Sequence, residues 1–212
     1  MLQDLRLKEF VEELGSSSPA PGGGSIAALS ASLASALASM VFNLTIGKKD
    51  YLKYEDTVKN AIDSSLYQVN LYSKKFLNLV EKDTEAFLSL MKAYKMPKNT
   101  DMEIELRKNA IKKGNDSSLE IPLQVAESAY RLYPYIFIAV NYGNKNAISD
   151  AGVAASLVET AVEGAVLNIK INIQNIEDKD HKVDLKNKCD NLLKKSRDEK
   201  EKIMRIIESK LE

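Results

Sequence analysis

From Ser25 to Ile46 the chain carries no charged residue, and Pro19-Ala20-Pro21-Gly22-Gly23-Gly24 leads into that run. Leu29, Leu33, Leu37, Met40, Val41 and Leu44 recur at three- and four-residue steps, so the spacing predicts a helix with one large apolar face. Ala27, Ala31, Ala34 and Ala38 form a second face, and Ala28, Ser32, Ser35 and Ser39 a third. Small side chains on two of three sides let other backbones come close, which places this helix in the middle of a bundle. Gly47 is its expected stop.

The start of that helix invites an anion. Its first N–H groups have no internal partner, the macrodipole makes that end positive, and glycines add no Cβ to keep a carboxylate or phosphate away. The plainer alternative is that the glycines only permit a sharp entry turn. The run is long enough to span a bilayer. Its six serines and threonines, its alanine content and the lack of a second obvious run of the kind argue instead for a core helix. Asp4, Arg6, Lys8, Glu9, Glu12 and Glu13 precede it, unlike a signal peptide.

Lys plus Arg equals Asp plus Glu, at 30 each, so there is no basic surplus to hold nucleic acid. One cysteine in 212 residues excludes an internal disulfide and, with no export signal, implies a cytoplasmic protein. Few β-branched runs occur, and no domain linker is visible. The expectation is all-α: a single-domain helical bundle over residues 1–212, with long helices around the small-residue one.

In chain order, 2–13 reads as a short amphipathic helix. A long helix of roughly 65 Å follows from Tyr51 to about Lys95. Another opens with Thr100 or Asp101 as its cap and is kinked or restarted by Pro122. Residues 135–140 read as a short helix and 141–146 as a loop. Ala147 to about Ile176 forms a second small-residue helix, packed centrally with the first. Residues 177–212 form a charged terminal helix covering the bundle, on whose surface His181 and Cys189 fall.

The usual catalytic groups are scarce. With one histidine and one cysteine, no zinc cluster can form, and the serines of the central helix have no histidine base. Gly22-Gly23-Gly24-Ser25 also lacks the lysine and strand of a phosphate-binding loop. Two acids stand out. Asp83 lies among Leu79, Val80 and Phe87, and Asp150 lies at the start of an alanine-rich helix. A carboxylate beside an apolar face can serve as a base or hold a cation. The alternatives are an exposed acid for Asp83 and a helix-start charge for Asp150. Asp150 and Asn168 share an azimuth but lie roughly 27 Å apart along one helix, too far to serve one site in one subunit.

Taken together, PAPGGGSIAAL, ASMVFNLTIGKK, DTEAF, GNKNAISDAGVAA and NIKINI resemble the cyclodeaminase/cyclohydrolase family, in the family's order, over about residues 5–178. That family includes the C-terminal domain of formiminotransferase-cyclodeaminase and stand-alone methenyltetrahydrofolate cyclohydrolases. Ala20, where many relatives have threonine, and Ser117-Ser118, near a position usually alanine, depart from its pattern. The resemblance implies an all-α homodimer acting on folate-bound one-carbon groups without a metal or other cofactor. It implies catalytic roles for Asp83, Asp150 and Asn144. Substrate would be bound by Gly22, Gly23, Gly24, Ser25, Lys48, Asn146 and Ser149. With no transferase domain in the sequence, hydrolysis of 5,10-methenyltetrahydrofolate is the first expectation. Formiminotetrahydrofolate cyclodeaminase is the second, and a non-catalytic anion- or protein-binding bundle is the rival of another class. The site residues are expected to meet at a dimer interface.

Overall fold

In the computed structural model, which describes residues 1–176 and 178–212, the regular elements are all helical. A 3₁₀ turn at Leu2–Asp4 precedes α1 (Leu7–Leu14), so the expected first helix is broken in two. Then come α2 (Gly23–Asn43), α3 (Lys49–Lys53), α4 (Asp56–Tyr94), α5 (Asp101–Tyr130) and α6 (Tyr133–Tyr142). A 3₁₀ turn at Lys145–Ala147 leads into α7 (Ile148–Asn172), and a third at Ile173–Asn175 precedes α8 (Lys179–Leu211). Glu177, the expected first residue of the terminal segment, lies outside the described residues.

The long helix expected from Tyr51 starts later, at Asp56, because Tyr54 and Glu55 take extended backbone between α3 and α4. Thr100 caps α5: its hydroxyl accepts from Glu103 N–H, and the Glu103 carboxylate accepts from Thr100 N–H. Pro122 does not restart the helix, one of the two expected outcomes: α5 runs through it without interruption. A proline cannot donate to the carbonyl four residues earlier, here that of Ser118. Asn172 of α7 donates to that carbonyl instead, at 2.7 Å. The helix therefore runs through with its freed acceptor satisfied.

α2 lies between α4 and α7. Its contact with α4 is a ladder of serines at seven-residue steps. Ser25 donates to Asp83, Ser32 stands 3.2 Å from the Ser73 hydroxyl, and Ser39 donates to Asn70. Its contact with α7 is made by alanines: Ala27, Ala31, Ala34 and Ala38 are all buried. A Cβ on Gly164 of α7 would sit 3.3 Å from that of Ala27. α5 packs on α4 and α7, while α8 covers α7 and reaches α6.

The two small faces of α2 are thus largely buried, as expected, but its large face is only partly so: Val41 is buried and Leu29 and Leu37 are half-buried. Leu33 is 49% exposed, and Met40 and Leu44 are exposed as well. On α7, Val153 is 51%, Leu167 68% and Ile171 71% exposed. Alanine and glycine faces pack closest, so the intrachain contacts take them and leave Leu33, Met40 and Leu44 outside. The second small-residue segment, Lys145–Asn175, passes the same length and hydropathy test for a membrane span as α2, contrary to the expectation of a single such run. Both are core helices here, with 67% and 50% of the tested stretches buried.

Cys189 is fully buried, contrary to its expected place on the surface. It falls in register with Leu185, Ser196, Ile203 and Ile207, the stripe that α8 lays on the bundle. His181 is exposed.

Candidate functional site

The three glycines are at the start of α2, and what lies against them is the side chain of Asp83. Gly24 is buried beneath its carboxylate; a methyl group on residue 24 would fall 2.7 Å from the carboxyl carbon. Ser25 Oγ donates to Asp83 Oδ2 at 2.7 Å, and Thr84 Oγ1 stands 3.2 Å from Ser25 Oγ. Burial pushes the Asp83 carboxyl above its usual range, while the Ser25 hydroxyl and backbone N–H pull it back down. The carboxylate is held at a helix start, aimed, and easier to protonate than an ordinary aspartate.

Asn168 of α7 joins this end. Its amide nitrogen would lie 3.3 Å from a Cβ on Gly23, and it donates to Gly164 O one turn back in its own helix. Gly23 itself is exposed, and nothing lies within 4 Å of a Cβ placed on Gly22. The backbone here stays open to a ligand on the side away from Asp83.

The remaining candidates gather at the other end of α2. Twenty residues separate Gly23 from Asn43, about 30 Å at 1.5 Å per residue. There a pocket of about 810 Å³ is walled by Lys48, Asn144 and Asn146, with Tyr51, Tyr54 and Tyr142. Asn144 is fixed by three bonds. Its N–H donates to the buried Thr45 hydroxyl (2.8 Å), its side-chain amide donates to Leu44 O (3.0 Å), and its Oδ1 accepts from Asn146 N–H (3.0 Å). Ser149, exposed, and Asp150, half-buried, occupy the first turn of α7 beside this loop.

The chain therefore carries two separate groups of candidate residues. Gly22 to Ser25, Asp83, Thr84 and Asn168 form one; Lys48, Asn144, Asn146, Ser149 and Asp150 form the other. Thr84 and Thr45 were not singled out in the sequence. A threonine next to an acid, and one at the polar end of an apolar helix, are faint signals at most. Asn168 was visible, but its only considered partner was Asp150, at the far end of α7; its neighbour in the fold is Gly23. Among the described residues no group of three or more His, Cys, Asp or Glu side chains could hold a metal ion.

The sequence profile of the formiminotransferase-cyclodeaminase family matches residues 6–191. A formimidoyltransferase-cyclodeaminase of Rattus norvegicus is 34% identical over the whole chain, which spans 38% of that relative's length. A methenyltetrahydrofolate cyclohydrolase of Methylorubrum extorquens is 33% identical, over 97% of both chains. The crystal structure of formiminotetrahydrofolate cyclodeaminase from Thermotoga maritima superposes with a TM-score of 0.75 at 28% identity, covering 100% of this chain and 98% of that one.

Proposed function

The chain belongs to the formiminotransferase-cyclodeaminase family, and on that premise we propose that it hydrolyses 5,10-methenyltetrahydrofolate to 10-formyltetrahydrofolate. The observation that carries the reading is the Asp83 carboxylate, half-buried, oriented by Ser25 and raised in pKa. A base in that state accepts a proton near neutral pH more readily than a free aspartate, and its charge suits a cationic ring.

The reaction balances with side chains of this kind. Water adds to the bridging carbon of the methenyl cation while Asp83 takes a proton from it. The resulting carbinol loses its hydroxyl proton as its C–O bond becomes the formyl C=O, the bond from that carbon to N5 breaks, and N5 leaves with its electron pair and takes up a proton. One proton is released overall. The cyclodeaminase reaction is the second reading, favoured by the Thermotoga maritima relative, which matches along nearly its full length. There N10 would attack the carbon of the protonated formimino group, Asp83 would take the N10 proton and pass it to the departing nitrogen, and the bond from that carbon to the nitrogen would break, releasing ammonia and leaving the methenyl cation.

The working unit in this reading is a homodimer. α2 and α7 leave apolar stripes uncovered, and the two groups of candidate residues stand at opposite ends of α2. A two-fold axis near the middle of α2 would cover both stripes and bring the Asp83 end of one protomer to the Asn144–Asp150 end of its partner. The pteridine would lie between them. Asp150 would face its positive charge, and the Gly143–Asn146 loop would orient it.

The test is an assay of the purified protein with each folate, following methenyl absorbance. Hydrolase activity removes the methenyl signal faster than buffer does; deaminase activity creates that signal from the formimino compound. Inertness toward both would leave the non-catalytic bundle as the better reading.

A further inference from the structure

The C-terminal end of α6 is finished by other parts of the chain. In an ordinary helix the carbonyl of residue 140 would accept from the N–H of residue 144. Here Asn144 N–H is turned away to Thr45 Oγ1, at 2.8 Å. The vacated Val140 carbonyl accepts from Lys210 Nζ at 2.8 Å, and the Asn141 carbonyl accepts from the same ammonium at 3.3 Å. The next carbonyl, that of Tyr142, accepts from the Tyr54 hydroxyl at 3.1 Å. Three successive carbonyls thus have side-chain donors from α8 and from the α3–α4 junction. A cation at that place also meets the negative end of the α6 dipole.

The same ammonium borders the 810 Å³ pocket that Asn144 walls. Burial against α6 and the nearby Lys145 lower its pKa. Lys210 lies in the last turn of α8, beyond residues 6–191, where the family profile matches.

We propose that Lys210 is a positioning residue for the reaction: by taking the Val140 and Asn141 carbonyls it stops α6 at Tyr142 and frees Asn144 to be held by Thr45 and Leu44 in the geometry the substrate meets. Without the ammonium, Val140 O competes for Asn144 N–H, α6 winds on by part of a turn, and the Asn144 amide leaves its place in the pocket wall. The terminal helix then does more than cover the bundle, since its end fixes a loop of the site. This inference rests on the folate-enzyme reading for its catalytic consequence but not for its structural one.

Lys210→Met tests both. In the crystal structure of the variant without substrate, Asn144 N–H is expected off Thr45 Oγ1 and its side chain off Leu44 O. In the assay, kcat is expected to fall about tenfold with KM changed less than about threefold, the pattern of misplaced catalytic geometry rather than lost binding. Lys210→Arg, which keeps donors for both carbonyls, should restore most of the loss. In an Asn144→Ala background Lys210→Met should cost less than about twofold, because residues that act through one another are not additive. A loop that superposes unchanged on the wild type overturns the inference. So does wild-type turnover in Lys210→Met, or a full tenfold cost in the Asn144→Ala background. Wild-type protein inert with both folates overturns the folate reading instead, and the variant's crystal structure still decides whether Lys210 sets the loop.

Discussion

Gly24 and Asp83 occupy space that only a residue without a side chain leaves free. A methyl group on residue 24 would lie 2.7 Å from the Asp83 carboxyl carbon and 2.8 Å from Oδ2. The glycine-rich start of α2 therefore accommodates an anion supplied by the chain itself, and α4 presents it. Gly24→Ala is expected to push Asp83 off Ser25 and to lower kcat by at least about tenfold, the scale of a displaced base. Gly22→Ala, where a Cβ meets nothing within 4 Å, should leave the melting temperature unchanged. Equal effects of the two substitutions on stability and turnover would show that the close approach of Gly24 to Asp83 has no special role.

Asp83 should be costly to the fold and necessary to the chemistry. Its folded-state pKa is raised, chiefly by burial. An acid shifted in that direction stabilises the fold while protonated, below its unfolded pKa of about 3.9, and loses that contribution as pH rises through the folded value. At pH 7 Asp83→Asn is thus expected to melt at or above the wild-type temperature, with the advantage fading as pH falls through the folded-state value and gone below about pH 4. The same variant should lose about 10²–10⁴ in kcat. The acid limb of the wild-type rate profile should lie above the usual aspartate range. A variant that melts well below wild type at pH 7, with turnover lost in proportion to folded protein, would make Asp83 a structural residue.

The sequence carried the helices but not their facing. The period of α2 was plain, and so were its alanine and serine faces. Which face meets the chain's own neighbours was not plain, because a leucine stripe reads the same whether another helix of the chain or a second copy covers it. Pro122 misled for a related reason: the donor that keeps α5 continuous is Asn172, fifty residues away. Cys189 looked exposed because most of its neighbours are charged, and its burial follows only from the register of α8. At the site, Asp83 was legible as an acid in an apolar setting. The place of Asn168 beside Gly23 and the role of Lys210 were not, since each finds its partner on a distant helix.

The uncovered stripes offer a direct test of assembly. Leu33 on α2 and Leu167 on α7 are large, apolar and about half or more exposed. Leu33→Glu or Leu167→Glu is expected to halve the mass seen by light scattering while the helical circular dichroism signal stays at the wild-type level. Turnover should fall with the dimer and recover as protein concentration rises. Wild-type protein that sediments as a monomer while still turning over folate would remove the second copy from the proposed site.

Mixing two inactive variants tests whether the site is shared. Asp83 and Asn144 are separated by the length of α2, about 30 Å, which is more than a single pteridine can bridge. If the partner supplies the missing half, an Asp83→Asn protomer paired with an Asp150→Asn protomer contains one site with both substitutions and one with neither. Refolding equal amounts together gives half heterodimers by random association. Each heterodimer has one intact site of two, so about a quarter of wild-type activity should return, provided the sites act independently. Either variant refolded alone should stay at its own residual level. A mixture with proven subunit exchange that shows no recovery would place each site within one chain. Asp83 would then have to work without the Asn144 loop, and the dimer would have only a structural role.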